Sequence, residues 1–123
     1  MGISKFSEQP HPCIGGALIF SGRPNPTWQV SEKVAQKLKE TWNELEPLRG
    51  KHPSAPAMGY RGCFLRCDAE KKEWFAYKGM VTLWAGDIYQ FRKDTKRRFE
   101  RQLLSSAPPA TVPSSILDAE NLR

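Results

Sequence analysis

The chain has 123 residues, 39% of them hydrophobic, with four Trp, six Phe and three Tyr, and a net charge of +6. That length suits one domain, and the apolar share is enough for a core. No window holds the roughly 18 consecutive apolar residues of a membrane helix and the first residues lack the apolar run of a secretory signal, so the expectation is a non-secreted protein of the cytoplasm or nucleus without a membrane partner.

Residues 1–13, with Pro10 and Pro12 and no apolar period, read as a flexible N-terminal lead. A single α+β domain is expected over 14–106. Gly15 and Gly16 precede "ALIF", a strand signal that stops at Ser21 and Gly22. In "SGRPNPTW", residues 21–28, Pro24 and Pro26 each hold their own φ near −65° and push Arg23 and Asn25 out of the α region, so the loop arrives stiff and extended. Ser31 is a good N-cap with Glu32 in the first turn, and Val34, Leu38, Trp42 and Leu45 then form one apolar stripe on a helix. Pro47 and the loop "RGKHPSAP" end it.

From Tyr60 the period becomes strand-like. "YRGCFLRC", the long aromatic "EWFAYKGMVTLW" and the alternating "DIYQFRK" read as a three-stranded antiparallel meander, with Gly79 marking a bulge or bend in its middle strand. The breaks "DAEKK" and "AGD" suit hairpin connections. Asp94 or Thr95 can cap a second helix, "TKRRFERQLLSS", that carries Phe99, Leu103 and Leu104 on one side. The three prolines of residues 107–123 point to a flexible C-terminal tail in which "SSILDAENL" has short-helix character. The expected order is therefore β-α-β-β-β-α, an antiparallel sheet of about four strands with both helices on one face.

An odd cysteine count fits a reducing compartment better than a disulfide framework. Cys63 and Cys67 would stand roughly 13 Å apart along an extended strand, too far to bridge. Cys13, His11 and His52 add no second closely spaced ligand pair, so the cysteines read as buried or half-buried thiols and no metal or cofactor is expected.

Two clusters are candidate binding sites. The first joins Ser21, Arg23, Asn25 and Trp28 to Tyr60 and Arg61. Two guanidinium groups near a helix N-terminus would clamp a carboxylate or phosphate beside an aromatic wall. The competing reading has the same residues tying down a proline-stiffened loop. The second cluster is the basic segment Arg92, Lys93, Lys96, Arg97, Arg98 and Arg101, which carries an excess of four positive charges over residues 92–101. It is either a phosphate-neutralising stripe or a solvated helix face. No catalytic set is visible, because both histidines lie among prolines and "SGRPNP" lacks the glycines and lysine of a phosphate loop.

The stretches "IFSGRPNPTW", "GYRG" and "EWFAYKGMV" resemble those of an uncharacterised family of small, chiefly bacterial proteins with SGRPNPxW-type and GYRG-type motifs. The resemblance spans about residues 17–84. It implies that Ser21, Gly22, Arg23, Asn25, Trp28, Gly59, Tyr60, Arg61 and Gly62 form shared core loops, and it implies no activity.

The leading functional expectation is a non-enzymatic module that binds a protein or peptide through the uncovered sheet face or the proline-rich loops. It rests on the aromatic surplus of Trp74, Tyr77, Trp84 and Tyr89, side chains favoured as interface anchors. The second is a nucleic-acid-binding accessory protein that uses the 92–101 segment. The third is a small anion-binding domain or minor enzyme at the SGRPNP loop.

Overall fold

The computed structural model describes residues 13–49 and 59–122. The expected flexible lead, apart from Cys13, and most of the "RGKHPSAP" loop lie outside these residues, as do His11 and His52. Among the described residues the elements are β1 (Cys13–Ala17), β2 (Thr27–Val30), α1 (Glu32–Glu44), β3 (Glu46–Pro47), β4 (Cys63–Cys67), β5 (Lys72–Tyr77), β6 (Met80–Ala85), β7 (Ile88–Lys93), α2 (Arg98–Ser105) and α3 (Ser114–Ala119). The class is α+β as expected. Among the described residues, however, the sheet has seven antiparallel strands in the order β2-β1-β4-β5-β6-β7-β3, rather than about four, and there are three α-helices rather than two.

The strands beyond the expected set are β2, the short β3, which pairs with β7 at Glu46↔Lys93 and Pro47↔Arg92, and β6, which separates from β5. The turn at Lys78 and Gly79 has positive φ at both residues, 43° and 83°, which is the geometry of a tight hairpin turn and not of a bulge. It divides the expected middle strand into β5 and β6, paired from Lys72↔Ala85 to Tyr77↔Met80. The first strand falls on "CIGGA" and ends where "ALIF" was expected to begin its run. Gly15 and Gly16 are tolerated there because large rings fill the space a side chain would take. A Cβ on Gly15 would lie 2.7 Å from Trp28, and one on Gly16 would lie 2.3 Å from Phe64. Trp28 belongs to β2, the second half of a hairpin closed by the SGRPNP loop, with Gly15↔Trp28 in register.

α1 starts where Ser31 Oγ accepts the Val34 N–H at 3.2 Å. Leu38, Trp42 and Leu45 of the expected stripe are buried and Val34 sits at its margin. The second helix begins later than expected. Thr95–Arg97 form a 3₁₀ turn, and Lys96 and Arg97 take left-handed φ values of 58° and 54° before α2 starts at Arg98. Asp94 still caps it from a distance, accepting the Phe99 N–H at 2.8 Å and the Glu100 N–H at 3.1 Å. The expected flexible tail is packed instead: Val112 and Leu122 are buried, and α3 lies between them in sequence. Apolar spacing that is too sparse for a core of its own is enough here, because the segment borrows the core of the sheet.

The ladder register sorts the sheet into two faces. Ala17, Cys63, Ala76 and Val81 lie in one cross-strand row, and Trp28, Leu65, Trp74 and Leu83 in the next, all buried. This face meets α1 and α2. Arg92 stacks 4.3 Å over the Trp42 ring and donates to the Trp42 carbonyl at 2.8 Å, while Lys39 stands 5.9 Å over Trp74. Phe64, Phe75, Thr82 and Phe91 form a row on the opposite face, next to the row Arg66, Glu73, Trp84 and Tyr89.

A disulfide joins Cys13 to Cys67, the facing ends of β1 and β4, with their Cα atoms 4.4 Å apart. This corrects the expectation of three free thiols. The spacing rule excluded a bond within β4, but pairing between strands brought Cys67 to a residue 54 positions away. Cys63 is the free cysteine, and it is fully buried.

Candidate functional site

The two loop motifs meet. Leu18 N–H donates to the Gly62 carbonyl and Arg61 N–H to the Leu18 carbonyl, both at 2.8 Å, which lays "GYRG" along the strand exit that leads into "SGRPNP". Asn25 Oδ1 accepts the N–H groups of Ile19 and Phe20, each at 2.7 Å. Arg61 Nη2 donates to the Phe20 carbonyl at 2.7 Å, and the Arg23 guanidinium stacks 3.7 Å from the centre of the Phe20 ring. Arg23 and Arg61 therefore converge on Phe20, and both are used in holding the loop. Trp28 is 5% exposed and donates its Nε1–H to Ser106 Oγ at 2.9 Å, closing the core at the end of α2. Ser21 is exposed beside Gly22, whose φ of 81° makes the turn.

Tyr60 leads to a buried polar hub that sequence reasoning missed. Its hydroxyl donates to Glu100 Oε2, and Arg97 holds the same carboxylate through Nε at 2.8 Å and Nη2 at 2.9 Å. Arg97 also reaches the Glu120 carboxylate at 3.2 Å and the Glu120 carbonyl at 3.0 Å, pinning the end of α3. Burial, then the nearby Cys63 and Glu100, push the Tyr60 phenol up, so it stays a neutral donor. Burial, followed by Glu100, likewise raises the Cys63 thiol. Burial would lower the Arg97 pKa, but the bonds and charge of Glu100 outweigh it and the guanidinium stays charged. Asp94 is raised by burial, which its two backbone donors partly offset. With Glu100 and Cys63 fully buried, the hub anchors Tyr60, α2 and α3 and presents no nucleophile to solvent.

The basic segment is divided. Arg92 and Arg97 turn into the protein as described, and Arg98 pairs with Glu44 of α1. Lys93 is exposed at the end of β7. Arg101 Nε donates to the Lys96 carbonyl at 3.1 Å. Lys96, Arg98 and Arg101 line an open cleft of about 610 Å³ with Thr95 and Gln102. A sequence window counts these charges together, but Arg92 and Arg97 bond inside the protein, which leaves Lys96, Arg98 and Arg101 at one cleft.

The four aromatic residues expected as interface anchors divide by burial. Trp74 and Tyr77 are 2% and 3% exposed, whereas Trp84 and Tyr89 are 45% and 60% exposed. Trp84 and Tyr89 are cross-strand partners whose rings meet nearly at right angles, 5.8 Å between centres. Phe91 and Ile88 are also exposed, and the sequence argument did not single them out. The alternation of "IYQFRK" was the available signal, since it places Tyr89 and Phe91 on one face. Phe64 and Phe75 continue the apolar surface inward, half-buried, with Phe64 lying over Gly16 and Phe75 over Gly62. Beside Trp84 a cleft of about 310 Å³ is lined by Arg66, Asp68, Lys71, Lys72, Glu73 and Gly86. Burial lifts the Glu73 carboxyl above the usual range, an effect that Arg66 opposes.

Cys13, Cys67 and Glu70 bring their ligand atoms within 4.8 Å of one another. The two sulfurs are bonded to each other, which removes them as thiolate ligands, and Glu70 pairs with Lys39. Among the described residues no helix is long and apolar enough to cross a membrane. No family model matches the chain, and no curated protein or solved structure is significantly similar to it.

Proposed function

We propose that this protein is a non-enzymatic interaction module whose working surface is the open face of the sheet around Trp84, Tyr89 and Phe91, and that its partner is a protein. The observation that carries the reading is the exposure of Trp84 and Tyr89, at 45% and 60%, beside the row that holds Phe64, Phe75 and Phe91 on the same face. Contiguous apolar surface of this kind is costly to leave in water and is the usual chemistry of interface anchors. The SGRPNP and GYRG loops are tied together by Asn25 on the Ile19 and Phe20 N–H groups and by Arg61 Nη2 on the Phe20 carbonyl, while Arg61 Nε is buried without a hydrogen-bond partner. The expectation of a cytoplasmic or nuclear site rested partly on free thiols. The Cys13–Cys67 bond removes that support and favours an oxidising setting.

The test compares three immobilised baits: the wild type, Trp84→Ser/Tyr89→Ser/Phe91→Ser, and Lys96→Glu/Arg101→Glu. The reading expects specific proteins to be retained by the wild type and the basic-segment variant and lost by the aromatic variant. Equal retention by all three overturns it. A second reading, nucleic acid on the Lys96, Arg98 and Arg101 cleft, is favoured by the charge gathered there. It expects binding of an oligothymidylate probe that weakens steeply with salt and is lost only in the basic-segment variant.

A further inference from the structure

We infer that the occupant of the open aromatic face is a second copy of this chain, packed face to face about a twofold axis. The inference rests on the reading of that face as a protein-interaction surface and names its partner. Two observations single out a second copy.

The first is charge. The chain carries +6, yet both signs border the aromatic face: Arg66, Lys71 and Lys72 with Asp68 and Glu73 line the cleft beside Trp84, and the exposed Lys93 follows Phe91 on the same face. Arg66 and Glu73 stand side by side in the same cross-strand row as Trp84 and Tyr89. A partner of one dominant charge would be matched by a rim of one sign. An isologous contact places each residue of a patch against another residue of the same patch, so it needs both signs within it. Arg66 of one copy can then meet Glu73 of the other, whose half-buried carboxyl gains a cation.

The second is area. The exposed fractions of Trp84, Tyr89 and Phe91, with the half-buried Ile14, Phe64 and Phe75, leave on the order of 400–500 Å² of apolar surface on this face. A standard interface takes about 800 Å² from each partner, of which about 65% is apolar in homodimers, or roughly 520 Å². The aromatic face is therefore about the size of the apolar centre of one such interface. Two sheets stacked in this way lie about 10 Å apart with interleaved side chains, and the perpendicular Trp84 and Tyr89 rings leave a step into which the partner's rings can fit.

Sedimentation velocity of the full chain over three decades of concentration tests this. The expected species is twice the 14.0 kDa chain mass, dissociating in the micromolar range. Trp84→Ser/Tyr89→Ser should weaken the dimer at least about 100-fold, with an unchanged thermal unfolding curve at concentrations low enough for the wild type to be monomeric, since both side chains are exposed in the monomer. Glu73→Arg should weaken it, and adding Arg66→Glu to that variant should restore it. A wild type that stays at the monomer mass throughout overturns the inference, as does a dimer that survives the Trp84 and Tyr89 substitutions. A monomer whose wild-type bait still retains specific proteins separates failure of this inference from failure of the broader reading.

Discussion

Replacing Cys13 and Cys67 with Ala tests the link between β1 and β4 directly. The bond closes a loop between residues 54 apart in sequence. In the chain-entropy description such a loop restricts the unfolded ensemble by about 4 kcal/mol at 25 °C, between the ~3 kcal/mol of a 15-residue loop and the ~4.7 kcal/mol of a 100-residue loop. That is a large part of the roughly 5–15 kcal/mol by which domains are stable. At a urea dependence of about 1.5 kcal/mol/M it corresponds to a midpoint lowered by roughly 2–3 M. The assay is equilibrium urea unfolding of wild type and Cys13→Ala/Cys67→Ala, each with and without a thiol reductant. Wild type in reductant should fall to the level of the variant, and the variant should ignore reductant. Thiol labelling of the denatured wild type should find Cys63 alone without reductant and all three cysteines with it. Three reactive thiols without reductant, or a midpoint indifferent to reductant, would refute the bond and return the protein to the free-thiol expectation.

Three further outcomes follow from the packing. Gly62→Ala should cost about 1–3 kcal/mol in thermal or urea unfolding, because its φ is 113° and a Cβ there would lie 2.5 Å from the Phe75 ring and 2.8 Å from the Ala76 carbonyl oxygen; a neutral result would disprove the close approach. Asn25→Ala should cost about 1–3 kcal/mol by stranding the Ile19 and Phe20 N–H groups, while the exposed Arg23→Ala should cost less than about 1 kcal/mol; the reverse order would assign the loop's hold to Arg23. The Cys63 thiol is raised above its ordinary 9.0, so the folded protein keeps a proton that the unfolded chain releases. Its stability contribution is full below pH 9.0 and is lost as pH rises toward the folded value. Cys63→Ala should therefore flatten the alkaline decline of stability by up to about 1.4 kcal/mol per pH unit, read from urea midpoints above pH 9. An unchanged slope would place the thiol elsewhere than in the buried hub.

Much of the local structure was legible because its causes lie within a few residues. The Ser31 cap, the Leu38, Trp42 and Leu45 stripe, the stiff SGRPNP loop and the Asp94 cap depend on side chains reaching backbone close by in the chain. The turn at Lys78 and Gly79 was legible in principle, but a lysine ahead of the glycine is a weaker hairpin signal than asparagine or aspartate, and two strands were read as one. What lay out of reach were properties of pairs far apart in sequence. Gly15 and Gly16 form a strand only because Trp28 and Phe64 cover them. Cys13 finds Cys67 only through the β1–β4 register, and the C-terminal segment is ordered by the Arg97, Glu100 and Glu120 contacts and by burial of Val112 and Leu122.

The candidate site divides in the same way. Composition alone determined that aromatic residues exceed what a small core consumes and that positive charge is in excess. Only the tertiary structure decided that Trp74 faces the helices while Trp84 faces solvent, because a strand's alternation assigns side chains to two faces without saying which face the helices will cover. It also decided that Arg92, Arg97 and Arg98 bond within the protein, since a run of charge along the chain becomes a surface patch only when the backbone keeps its side chains together.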